Sequence, residues 1–338
     1  MRAAVLMEGG RFEVRQVPAP EPTGNQILIR VSHCGICGSD LHALRAGQLP
    51  VGAVLGHEIA GIVEAVGPKV RGLEAGDRVT TLSAVPCDSC DKCEAGLFRS
   101  CRKGWQIYGY GTVPGGYAEF AISHTSVIER IPDGVDEITA ALNEPAMVGL
   151  HAARISRVRP GDTVVVIGAG PIGLLVLQAA KLAGAANIYV MEPSAGRRAM
   201  AKELGATRVF SPDEDIARFL METTEAGPEV VFECAGARGT LQKAVELVRP
   251  GGQVVLAGVN AEADELSPLT LVAKECEITA SLGGADIFRR ALDLMAAGRI
   301  RTAPMVTRVI GLDEVDAVMQ ELGTASCDDV KVLVAPGR

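Results

Sequence analysis

The sequence has no run of lysines or arginines: 33 basic residues stand against 41 acidic ones, a net charge of −8. That balance excludes nucleic acid and anionic membrane surfaces as main partners. Long apolar runs are missing too. The most apolar stretches, 163–177 and 253–259, are broken by glycine and too short to cross a bilayer. The opening MRAAVLMEGG has neither the charged head nor the apolar core of a signal peptide, and no targeting tail closes the chain. The expected location is the cytoplasm. Internal repeats and low-complexity segments are also missing.

What is present fits a two-domain enzyme. A chain of 338 residues exceeds what one core usually serves, and 48% hydrophobic residues suffice for two. Residues 1–85 read as short β-segments, "ILIRVSHCG", "EIAGIVEAVG" and "GDRVTTL", spaced by Pro and Gly. From 160 the pattern turns to strand–helix alternation: "DTVVVIGAG", then "PIGLLVLQAAKLAGA", "NIYVMEP" and "AGRRAMAKELGA". "RVF", "EVVFECAG", "GQVVLAGV" and "EITASLGG" continue it. Such alternation specifies a doubly wound parallel sheet with helices on both faces. After about 285 the pattern changes again, to the helices "IFRRALDLMAAG" and "DEVDAVMQELG" and a last strand "VKVLVA".

Nine cysteines is an odd number, and a chain this long needs no disulfide staples. Cys87, Cys90, Cys93 and Cys101 follow C-x2-C-x2-C-x7-C, four thiolates from one polar loop. Four sulfurs close a tetrahedral zinc site, so this zinc is structural. Cys34 is expected to be a packing residue, Cys234, Cys276 and Cys327 to pack in strands or helices, and His33, His124 and His151 to be structural.

Gly168, Gly170 and Gly173 form G-x-G-x-x-G between a strand and a helix. The first permits the tight turn, the second lets a pyrophosphate approach, and the third allows close helix–strand packing. Glu192, nineteen residues beyond Gly173, ends the second strand, where a carboxylate accepts from ribose hydroxyls and repels a 2′-phosphate. NAD is thus expected over NADP, with Arg197 and Arg198 nearby as the opposing influence. Further chemistry is scattered through the first region: Cys37, Ser39 and His42 in "GICGSDLH", His57 and Glu58 in "GHE", and Glu144 in "LNEPAMVGLHAA". Cys37, His57 and a carboxylate make a mixed zinc site with one position free for substrate, where the metal acts as a Lewis acid.

In this order, GHE, the cysteine loop, E-P and GAGPIG resemble the zinc-dependent medium-chain dehydrogenase/reductase superfamily, over nearly the whole chain. Glu144 stands where liver-type alcohol dehydrogenases carry a cysteine, so the nearer resemblance is to sorbitol, threonine and 2,3-butanediol dehydrogenases. The resemblance implies a GroES-like β-rich catalytic domain over 1–146, a Rossmann NAD-binding domain over 147–284 and a return to the catalytic domain over 285–338. It implies two zinc ions per chain, the catalytic one on Cys37 and His57 with Glu58, Glu144 or both. Ser39 and His42 become a proton relay, and Ile172, Val259, Leu282 and Arg197 join the cofactor contacts.

The activity so implied is hydride transfer between a secondary alcohol, polyol or hydroxy amino acid and NAD, in a homodimer or homotetramer. Leu44, Tyr108 and Tyr110 are candidates for reading the substrate, with "IYGYGTVPGGYAEF" lining the cleft. Two other readings remain open: a dismutase or aldehyde-processing enzyme on the same fold, and a non-catalytic nucleotide-binding scaffold. The complete ligand and relay set argues against the scaffold.

Overall fold

The computed structural model describes every residue except Thr112, 261–262 and 323–326. Thr112 of the cleft-lining stretch and Gly323 of the last helical segment therefore lie outside the described residues. Two large sheets carry the architecture. Strands Thr163–Ile167, Asn187–Met191, Arg208–Phe210, Val230–Glu233, Gln253–Leu256 and Glu277–Ala280 pair throughout in parallel. Numbered along the chain, they lie in the order 3-2-1-4-5-6. The order reverses between Thr163–Ile167 and Val230–Glu233, and ligands of such sheets bind in the crevice beyond the strand ends at that point. Val164, Val165 and Val166 are fully buried, as a strand covered by helices on both faces must be.

Helix Pro171–Ala183 starts in that crevice with Gly170 as N-cap and Pro171 preset for the first turn. Its Leu174, Leu175, Val176 and Leu177 are buried, each worth roughly 1.5–3 kcal/mol. Helix Asn143–Ile155 crosses it closely because Gly149 has no side chain: a Cβ there would lie 2.6 Å from that of Leu175.

The other sheet has seven strands and is largely antiparallel. Strand Gln26–Gly35 lies at its centre, pairing Glu58–Val66 on one side and both Phe120–His124 and Lys331–Val334 along the other. Lys331–Val334 also pairs in parallel with Val306–Ile310. The end of the chain thus completes the sheet begun near its start. A further hairpin, Arg2–Leu6 with Phe12–Gln16, was not legible in the pattern of short segments.

Cys234, Cys276 and Cys327 correct one expectation. They sit just outside regular elements rather than within strands or helices. No helix among the described residues is long and apolar enough to cross a membrane.

Candidate active site

Three elements of the antiparallel unit build one largely buried cluster. Strand Gln26–Gly35 leads into helix Gly38–Arg45, whose N-cap is Cys37. Glu58 opens the neighbouring strand and pairs with Gly35, with His57 immediately before it. The thiol of Cys37, a ring nitrogen of His57 and a carboxylate oxygen of Glu58 all lie within 4.8 Å of one another. Only glycine serves at position 35, since a Cβ there would stand 1.9 Å from Oε2 of Glu58.

Asp40, which the motif reading passed over, is fully buried beneath this cluster. Its Oδ1 lies 3.4 Å from Nδ1 of His57, while Oδ2 accepts from the Tyr117 hydroxyl at 2.7 Å and the Cys37 amide at 3.2 Å. That leaves Nε2 of His57 for a metal, the arrangement usual for ligating histidines. Burial alone would lower the His57 pKa, yet Asp40 and Cys37 raise it well above the ordinary value. Surroundings that favour a proton there equally favour a cation among the three donors.

A second residue missed in the sequence is Lys331. Its ammonium is buried and donates to both oxygens of Glu58 at 2.7 Å and to the carbonyl of Ile36 at 2.9 Å. Burial acts to lower its pKa, but Glu58 and Cys37 raise it overall, so it stays charged. The sequence did carry a signal, a lysine inside the apolar strand "VKVLVA".

Glu144 stands apart from the three clustered donors. It is buried, accepts from the Ser83 hydroxyl at 2.8 Å, and burial raises its pKa. It does not cap the helix that contains it: the N-cap is Leu142, and Glu144 lies in the first turn.

Ser39 and His42 share helix Gly38–Arg45. The Ser39 hydroxyl donates to Sγ of Cys37 at 3.1 Å and accepts from the Tyr110 hydroxyl at 2.9 Å. The ring of Tyr110 also meets that of His57 edge-on, centroids 5.7 Å apart. Tyr110, Trp105, Gln106, Ile107 and Val113 border an indentation of about 330 Å³. Tyr108 is instead fully buried, its hydroxyl on Ser123, and Leu44 packs in the core beside Gly10, so neither faces this opening.

The four-cysteine loop forms a second cluster, all four sulfurs within 4.8 Å of one another. Cys90 caps the short helix Asp91–Glu94, its sulfur accepting from the Cys93 amide at 3.5 Å. Arg102 fastens the loop through two bonds to Asp91, at 2.6 and 2.9 Å. The Ser89 hydroxyl helps bring Cys87 down to about 6, whereas burial pushes Cys93 up to about 12. Thiols this close cannot all ionise without a cation between them, which is the requirement zinc meets.

In the parallel unit the three glycines act as the motif requires. Gly168 has φ +93 and lies so close to Ala235 that a Cβ would approach within 2.8 Å. At Gly173 a Cβ would fall 1.8 Å from the carbonyl oxygen of Gly168, while nothing lies within 4 Å of one at Gly170. The helix N-terminus is therefore open to a phosphate. Glu192 is buried and accepts from the Ala169 amide at 2.7 Å and the Ser194 amide at 2.9 Å, so it braces the glycine turn itself. Arg197 donates to the carbonyl of Asp329, and Arg198 to those of Glu192 and Pro193. Val259 and Leu282 follow the strands Gln253–Leu256 and Glu277–Ala280 and are exposed, and Ile172 is half-buried in the first helical turn.

Residues 23–133 match the alcohol dehydrogenase GroES-like domain, and residues 171–297 the zinc-binding dehydrogenase family. Sorbitol dehydrogenase of Bacillus subtilis (strain 168) is 31% identical, over 100% of this chain and 98% of its own. The (2R,3R)-butanediol dehydrogenase structure from Bacillus subtilis superposes with a TM-score of 0.89 at 31% identity, covering 99% of each chain. A zinc-binding dehydrogenase from Sinorhizobium meliloti 1021, solved with NADP, gives 0.90 at 34% identity, again over 99% of each.

Proposed function

Because this chain belongs to the zinc-dependent medium-chain dehydrogenase/reductase superfamily, on its sorbitol dehydrogenase-like branch, we infer that it passes a hydride between a secondary alcohol or polyol and NAD. The observation that carries this reading is the triad of a half-buried Cys37 with buried His57 and Glu58, whose donor atoms lie within 4.8 Å of one another. Sulfur, nitrogen and oxygen donors in that number suit zinc and leave a coordination position for substrate. Zinc, when bound, supplies a Lewis acid that acidifies the substrate hydroxyl, and NAD supplies the hydride acceptor.

The chain's own residues do the rest. Cys37 and His57 hold the metal, with Glu58 or Glu144 as the acid beside them. Ser39, next to the Cys37 sulfur, takes the substrate proton, and His42 on the same helix carries it toward solvent. Asp40 holds the His57 ring at its angle. Gly168, Gly170 and Gly173 seat the pyrophosphate, and Ile172, Val259 and Leu282 border the nicotinamide end. Cys87, Cys90, Cys93 and Cys101 hold the structural zinc.

The domains divide as 1–146 and 285–338 for catalysis and 147–284 for the dinucleotide. The shared sheet formed by Gln26–Gly35 and Lys331–Val334 supports that division. Copies associate through the open edge strand Glu277–Ala280, and in the helix Pro268–Lys274 that precedes it Leu269 and Val272 are 78% and 74% exposed. Light scattering on the purified protein checks for a homo-oligomer.

A screen of polyols, diols and simple secondary alcohols against NAD, followed by NADH absorbance, tests the activity. Zinc-loaded protein is expected to oxidise at least one polyol. Zinc-loaded protein that reduces NAD with none of them would overturn the reading.

A further inference from the structure

The buried ammonium of Lys331 has no part in the activity as described, yet it touches the metal cluster directly. It arrives from the far end of the chain. Strand Lys331–Val334 runs antiparallel to Gln26–Gly35, pairing Leu333 with Gly35 and Val334 with Cys34. The Ile36 amide donates to the carbonyl of Val332 at 2.9 Å, which locks the register beside Cys37. Lys331 is then 2% exposed, with three short bonds that saturate its donors: two to Glu58 and one to the Ile36 carbonyl.

The charges explain why a cation belongs there. Asp40 and Glu58 are buried carboxylates beside the partly exposed Cys37 sulfur, and the buried Glu144 is close enough to act on both Glu58 and Lys331. Buried carboxylates are costly without a cation, and Lys331 places one directly on Glu58. Both oxygens of Glu58 are already engaged by the ammonium, so any metal must share that carboxylate with it.

We propose that Lys331 is a positioning residue of the catalytic metal site: by sharing Glu58 with the metal it sets how tightly that carboxylate holds the ion. This rests on the assignment of Cys37, His57 and Glu58 as the metal's cradle. It predicts a sign that a merely structural lysine would not produce. With the ammonium removed, Glu58 turns fully to the metal and the repulsion between the two cations disappears. Zinc at this site should then bind more tightly, although the protein becomes less stable.

The test is zinc competition against a chromophoric chelator, with the four-cysteine zinc as internal reference and melting temperature measured in parallel. Lys331→Met should tighten the Cys37-site zinc by about tenfold and Lys331→Arg should keep the wild-type affinity, on the scale seen for outer-shell partners. Looser or unchanged zinc in Lys331→Met overturns the proposal. If that variant cannot be recovered folded, Glu58→Gln tests it from the other side. It strands Lys331 next to the metal, so zinc should loosen by roughly 100-fold, and adding Lys331→Met should restore most of the loss. A double variant no better than Glu58→Gln alone overturns the proposal. Wild-type protein holding only the four-cysteine zinc would remove the metal cradle and this inference together, whereas two zincs with the wrong response to Lys331→Met remove this inference alone.

Discussion

Nδ1 of His57 lies 3.4 Å from Oδ1 of Asp40, and both side chains are buried. Burial by itself would raise the Asp40 pKa, but His57 and the Tyr117 hydroxyl hold the carboxylate below its usual range. An ionised Asp40 therefore fixes which ring nitrogen is left for the metal. Asp40→Asn should weaken zinc at this site roughly 10–100-fold while the four-cysteine zinc stays bound. Zinc content after graded dialysis checks it.

Tyr110 donates to the hydroxyl of Ser39, the residue assigned to take the substrate proton. Burial raises the Tyr110 pKa above the ordinary phenol value, so the hydroxyl keeps the proton it donates. Tyr110→Phe should lower kcat by about tenfold, less than the roughly 100-fold or more expected of a group that itself transfers the proton, and change KM little. A variant that instead raises KM alone would make Tyr110 a binding group with no part in the relay.

For Glu144 the hydroxyl of Ser83 is the direct partner. Glu144→Gln keeps that acceptor and removes only the charge near the metal. Catalytic zinc should loosen about 10–100-fold, and further if Glu144 ligates directly. Full zinc and a normal rate would leave Glu58 as the only acid at the metal.

Elemental analysis should find two zinc ions per chain, one in each cluster. Cys93 is buried within the four-cysteine loop, and its replacement by Ser should lower the melting temperature. Cys37→Ser should leave melting nearly unchanged and abolish turnover. Identical thermal behaviour of the two variants would contradict the division into structural and catalytic sites.

We expect cofactor choice to turn on Glu192, whose buried carboxylate is engaged by the Ala169 and Ser194 amides, and on two arginines that are already occupied by backbone carbonyls. Efficiency with NAD should exceed that with NADP by at least about tenfold, or ~1.4 kcal/mol. The similar Sinorhizobium meliloti protein was solved with NADP, so the comparison has to be made on this chain. Equal efficiencies would mean that Arg197 or Arg198 leaves its carbonyl for a 2′-phosphate.

By itself the sequence determined whatever depends on neighbours along the chain. The four-cysteine loop brings all four thiols from within fifteen residues, so its spacing alone states its chemistry. The glycine turn is equally local: Gly168 and Gly173 collide with their own turn and with Ala235 if given side chains. Strand–helix alternation was enough for the parallel sheet, because period and turn residues are set by burial on each element. Only the tertiary structure decided what encircles the catalytic ligands. Lys331 lies 273 positions from Glu58, Tyr117 lies 77 from Asp40, and Ser83 lies 61 from Glu144. No periodicity marks such pairs. The first is fixed by sheet register, with Lys331–Val334 laid against Gln26–Gly35, the other two by how helices Gly38–Arg45 and Asn143–Ile155 pack, and all three by the cost of leaving a buried charge without a partner.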